Sequence, residues 1–180
     1  MDSFKHTIST SGAGQKTKQQ CWYASYKMIL KSTAMASDMD RRLRGILKTD
    51  LDGNSRFDDA LANGLLDTDY RICAIALGLQ SWSGTLFKKP AGFFDVGLTD
   101  GAEAFLAELK KRPLWVSRWT GNGYHAVVAT GYNDRGKGYI IFNNPYPGPT
   151  DAIEDSTCTA NNFVKFITDA HGSVQGVRVP

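Results

Sequence analysis

Four residues of this chain, Gln15, Cys21, His125 and Asn144, have the types and order needed for acyl transfer. Cys21 opens a run in which Trp22, Tyr26, Ile29 and Leu30 recur at helical spacing. A thiol at a helix start meets the positive end of the backbone dipole and free N–H groups, and both favour thiolate. Such a nucleophile still needs a base and an oxyanion donor. Gln15, six residues before the cysteine, can curl back so that its amide and the Cys21 N–H point at one oxygen. His125 stands at the front of an apolar strand, after the turn Thr120-Gly-Asn-Gly123, and Asn144 ends the next strand nineteen residues later. If those strands pair, the Asn144 amide oxygen accepts the imidazole N–H and aims the other ring nitrogen at Cys21. Thiolate and imidazolium would then stabilise each other, so Cys21 should alkylate at mildly acidic pH while Cys73 and Cys158 stay inert.

Each residue alone has a plainer reading. A helix-start cysteine is often buried and inert, a lone strand histidine is usually satisfied locally, and asparagine before proline is above all a turn signal. The conjunction, with all four at element boundaries in this order, favours a site.

The elements that must position them read as helices first and strands second. After a polar lead-in over residues 1–14, expected to be flexible, helical spacing runs from Cys21 to about Met35. A second helix starts near Ser37 with Met39, Leu43, Ile46 and Leu47 on one face and Arg41, Arg42 and Arg44 on a solvated one. Helical stretches follow over Phe57–Leu66 and Tyr70–Leu77, and the stripe of the latter buries Cys73. Residues 80–98 read as irregular, with Trp82, Phe87, Phe93 and Phe94 as core or groove aromatics. Asp100 and Glu103 have capping-box spacing for a helix that Pro113 stops. Strands are expected at 114–119, 125–130, 139–142 and 174–179, with a short helix near 160–167. The expectation is one α+β domain over 15–180, with a mainly helical half (15–112) facing a mainly β half (113–180) that carries His125 and Asn144.

Composition sets the bounds. The 180 residues are 42% hydrophobic and 22% charged, which is globular rather than disordered. A net charge of +3 is too small and scattered to argue for nucleic acid. No run approaches a membrane span, so no membrane insertion is expected, and the first residues lack the apolar segment of a signal peptide. Three cysteines argue against a disulfide framework and suit a reducing workplace. Neither they nor His6, His125 and His171 have metal-ligand spacing, so no metal and no cofactor are expected. Gly131-x4-Gly136-Lys137 resembles a phosphate-binding loop, but Gly138 stands in place of Ser/Thr and no helix follows, so it reads as a hairpin turn.

Three segments resemble papain-like cysteine proteases. Gln15-x5-Cys21-Trp22-x-Ala24-Ser25 is similar to their nucleophile segment, His125-Ala-Val…Gly131-Tyr132 to their histidine strand, and Asn144-Pro145-Tyr146 to their asparagine segment. The resemblance spans Gln15 to about Pro147, and residues 37–112 are placed by helical pattern alone. It implies a papain-like fold, with Cys21 as nucleophile, His125 as base and acid, Asn144 as orienter and Gln15 as oxyanion donor. It further implies Tyr146 as an aromatic shield of the Asn–His bond and Trp22 as a neighbouring subsite residue. Asn143 stays open as the third member; Asn144 is favoured because Pro145 follows it directly.

The lysosomal members' cysteine just before the nucleophile is replaced here by Lys18-Gln-Gln20, and the gap to the histidine is shorter than theirs. Pro145-Tyr-Pro-Gly148 resembles compact bacterial relatives instead, where an aspartate is common at the position of Asn144. These include effector proteases, bacteriocin-leader peptidases and toxin domains. The resemblance therefore implies a secreted effector or toxin acting as a monomer in the cytoplasm of a recipient cell. Its partners would be a protein substrate and a cognate immunity protein in the producer. The rival readings are a thiol-dependent deamidase, a transglutaminase-like transferase or a cell-wall amidase, and, without catalysis, a peptide-binding module on a protease fold.

Overall fold

The apolar stripe that begins at Cys21 forms helix α1 (Cys21–Leu30), and every later element is arranged around where that helix meets a sheet. The computed structural model describes residues 1–49, 53–83, 100–119, 123–146, 153–168 and 173–178. Phe87, Phe93, Phe94, His171 and the turn over 120–122 lie outside them. The architecture is α+β. Six α-helices accompany a seven-stranded sheet in which all the pairings are antiparallel, among the described residues.

The sheet is built from β1 (Phe4–Lys5), β2 (Leu79–Ser83), β3 (Leu114–Trp119), β4 (Tyr124–Asn133), β5 (Tyr139–Asn144), β6 (Ile153–Thr159) and β7 (Ser173–Val177). Their order is β2-β7-β3-β4-β5-β6. β1 pairs with Gly131 and Tyr132 of β4, beyond the end of β3, and so extends the edge that β3 begins. At Gly131 the chain register shifts against β5, and the backbone of β1 crosses so closely that an added Cβ would lie 2.4 Å from the Phe4 carbonyl oxygen. Only glycine fits there.

Alternate residues of the strands feed two cores. One face carries Trp115, Ala126 and Val128 and is covered by α1, α2 (Met39–Ile46), α3 (Arg56–Asn63) and α4 (Tyr70–Ala76). The opposite face carries Leu114, Val116, Val127, Ala129 and Phe142 and is covered by α5 (Asp100–Lys111) and α6 (Ala160–Thr168). The molecule is thus a helix–sheet–helix sandwich. This corrects the expected pair of facing halves, because α5 packs on the far face with α6 and β2 joins the sheet through β7. The pairing of β2 with β7 spans over ninety residues of chain, and no local pattern announces it.

The lead-in is corrected too. Phe4–Lys5 is a strand, the His6 N–H reaches the Thr130 carbonyl at 2.7 Å, the His6 ring donates to the Leu109 carbonyl at 2.6 Å, and Thr10 and Ala13 are buried. Helix α1 stops at Leu30 rather than near Met35, where the Thr33 hydroxyl takes the Leu30 carbonyl at 2.7 Å. The basic cluster on α2 is largely neutralised within the protein. Arg41 and Arg42 pair with Asp38, and Arg44 pairs with Asp58 at 3.1 Å while lying over the Phe57 ring. Asn133–Gly138 joins β4 to β5 as a hairpin turn, in keeping with the reading of the glycine-rich stretch.

Candidate active site

Helix α1 is aimed at β4 by two bonds to a single residue. The Ala126 N–H donates to Cys21 Sγ at 3.4 Å, and the Ser25 hydroxyl, one turn along the helix and fully buried, donates to the Ala126 carbonyl at 3.0 Å. β5 pairs with β4 only from Val128 onward, so at Ala126 that strand edge is not covered by β5. The nucleophile candidate therefore sits where two strands part, beside the residue that follows His125.

The ring of His125 is held from the far side. Its Nε2–H donates to Asn144 Oδ1 at 2.7 Å, and the Tyr146 backbone N–H donates to the same oxygen at 3.1 Å. Two donors on one atom fix the orientation of the amide, and so the tautomer of the ring. Nε2 carries the proton, and Nδ1 keeps its lone pair. Asn143 does something else: it is buried and its Oδ1 accepts the Asp155 N–H at 3.4 Å across to β6. Between the two asparagines, it is Asn144 that meets the imidazole.

Gln15 is drawn to the same place by its backbone, whose N–H donates to the Pro145 carbonyl at 3.0 Å. Its side chain is buried, and Oε1 has no hydrogen-bond partner among the described residues. Trp22 departs from expectation. Trp22 is 2% exposed, its indole N–H donates to the Ala60 carbonyl at 3.1 Å, and its own carbonyl accepts from Trp115 at 3.2 Å. It is a core anchor of α1 and cannot line a subsite. Tyr146 is 45% exposed and steadies Asn144 through its backbone N–H.

Among protein-family models, curated proteins and solved structures, none matches the chain.

The electrostatics run against one expectation. Burial pushes the Cys21 thiol above its ordinary range, although N–H groups of Ala126, Trp22 and Cys21 itself pull the other way. Burial likewise holds the His125 ring below its ordinary value, helped by the charge of Arg118 and opposed by the bond to Asn144. Both shifts favour the neutral forms and run against the thiolate–imidazolium expectation. The N–H groups at the helix start act in the expected direction, and desolvation outweighs them. Thiol and ring are not hydrogen-bonded to each other in this state. Catalytic hydrogen bonds are often loose before substrate arrives.

Three neighbours of the site went unnoticed in the sequence. Arg118 is the register partner of His125 on β3, and its guanidinium lies over the rings of Phe142 and Phe163 at 5.7 and 5.0 Å. Ser117, the partner of Ala126, bonds the Tyr70 hydroxyl at 3.1 Å. Tyr70 in turn packs edge-on against Trp115, 5.4 Å between centroids. Strand register is what brings them in, and pairing partners cannot be read from one strand alone. Among the described residues no group of His, Cys, Asp and Glu is placed to hold a metal, and no helix is long and apolar enough to cross a membrane.

Proposed function

We propose that the protein is a cysteine endopeptidase with a papain-like arrangement, in which Cys21 attacks a peptide carbonyl and His125, oriented by Asn144, moves the proton. One observation carries this reading: the Cys21 sulfur is bonded to the residue after His125, while the other face of that ring is committed to Asn144. With Nε2 occupied, Nδ1 is the nitrogen left to take the thiol proton as the sulfur adds to the carbonyl. The ring then returns that proton to the departing amine, leaving a thioester that water hydrolyses. The N–H groups at the start of α1 would face the oxyanion, with the Gln15 amide as second donor.

Burial that favours the neutral thiol and ring is compatible with the same course. Proton transfer would accompany attack, so no thiolate need persist in a buried site. A protein substrate, a cognate immunity protein and action inside a recipient cell belong to the proposal through the resemblance of the three segments. The test is to express the chain and Cys21→Ala in bacteria and map new protein N-termini. The proposal expects harm and new termini with the native chain and neither with Cys21→Ala. Substrates left uncut but heavier by about one mass unit per site, the amide-to-acid change, would replace it with a deamidase.

A further inference from the structure

A cavity of about 460 Å³ lies between α4 and the β2–β7 end of the sheet, lined by Thr68, Tyr70, Ser81, Trp82 and Ser173, with Asp67 and Arg71 adding one charge of each sign. Register connects it to the nucleophile. The Tyr70 hydroxyl is bonded to Ser117, Ser117 stands opposite Ala126, and the Ala126 N–H is on the Cys21 sulfur. One aromatic ring thus forms a wall of the cavity and ends beside the candidate site.

The lining has a definite chemistry. Five of its residues, Thr68, Tyr70, Ser81, Ser83 and Ser173, carry hydroxyls. An aliphatic side chain placed here would cover these hydroxyls without offering them a partner. An ionised side chain of either sign would meet a like charge as well as an opposite one. A neutral side chain with its own donors and acceptors suits the hydroxyls, and the indole of Trp82 offers a flat surface for its apolar stem.

We propose that this cavity receives a neutral, hydrogen-bonding side chain of the protein substrate, of the glutamine, asparagine, serine or threonine class. The proposal rests on the endopeptidase reading for its role in turnover, but binding can be tested without turnover. The experiment uses a peptide library randomised at each position, scored twice: by cleavage with the native chain, and by affinity selection on Cys21→Ala. One position should select neutral polar residues over leucine and phenylalanine by tenfold or more. Ser81→Leu, and separately Thr68→Val, should weaken or invert that preference, with thermal melts showing that each variant folds. Polar selection by Cys21→Ala without cleavage by the native chain would support the cavity and overturn the endopeptidase. Apolar or charged selection at every position, no selection at all, or a preference untouched by both variants would overturn the cavity.

Discussion

His125 Nε2 lies 2.7 Å from Asn144 Oδ1, and the same oxygen takes the Tyr146 N–H, so the chain after β5 is built to hold one imidazole tautomer. Removing that hold should cost catalysis rather than folding. Asn144→Ala is expected to lower turnover by about tenfold to a hundredfold, part of the 10²–10⁴ that general acid–base catalysis supplies. Asn143→Ala should do the reverse, keeping turnover per folded molecule but lowering the melting temperature as the bond to Asp155 is lost, about 1 kcal/mol. Steady-state kinetics and melts on the two variants check both halves.

The acid side of the pH–rate profile follows from the His125 environment. Burial, then the Arg118 charge, holds the ring below its ordinary value, so it stays a base at pH values where an exposed histidine is protonated. The acid limb of activity should lie below about pH 6.5. Arg118→Met should move it upward, and Arg118→Lys should return it most of the way. Stability has the same sign: the unfolded chain takes the proton first, so stability is lost as pH falls from about 6.5 toward the folded value.

The alkaline side is set elsewhere. Cys73 is fully buried in α4, and burial pushes its thiol from 9.0 to about 12. A raised folded value means the unfolded chain releases its proton first, so this contribution is intact below pH 9.0 and lost as pH rises toward about 12. The melting temperature should fall across that window, and Cys73→Ala should flatten the fall while costing about 1 kcal/mol at neutral pH. Melts from pH 7 to pH 11 test it.

Gly131 is the residue where β1 crosses β4, with no room for a Cβ. Gly131→Ala should push β1 off the sheet edge and destabilise the protein by about 1–3 kcal/mol, the range for overpacking. Amide hydrogen exchange should then show lost protection at Phe4–His6 ahead of α1. Uniform loss across the chain would instead mean that β1 is not separately attached.

Much of this was legible in the residues. Cys21 at a helix start, His125 near the head of β4 and Asn144 at the end of β5 are where spacing and turn signals put them, because each lies where the hydrophobic period changes. What stayed hidden is non-local. β2 pairs with a distant partner, and neither it nor the largely exposed edge strand β6 alternates cleanly. Trp22 looked like a site residue from its place in the chain, yet its carbonyl and indole bonds tie it into the core. The burial of Cys21 cannot be read from a motif, and it opposes the helix-start N–H groups.

The central claim, that Cys21 and His125 act as one unit, is tested most directly by alkylation resolved to each cysteine. Rates at neutral pH would be measured by mass spectrometry for the native chain and for His125→Ala. If the ring takes the thiol proton, its removal should slow Cys21 by about tenfold or more, within the range of general-base assistance, while Cys73 stays unreactive in both. A Cys21 rate that is the same with and without the imidazole would contradict the account.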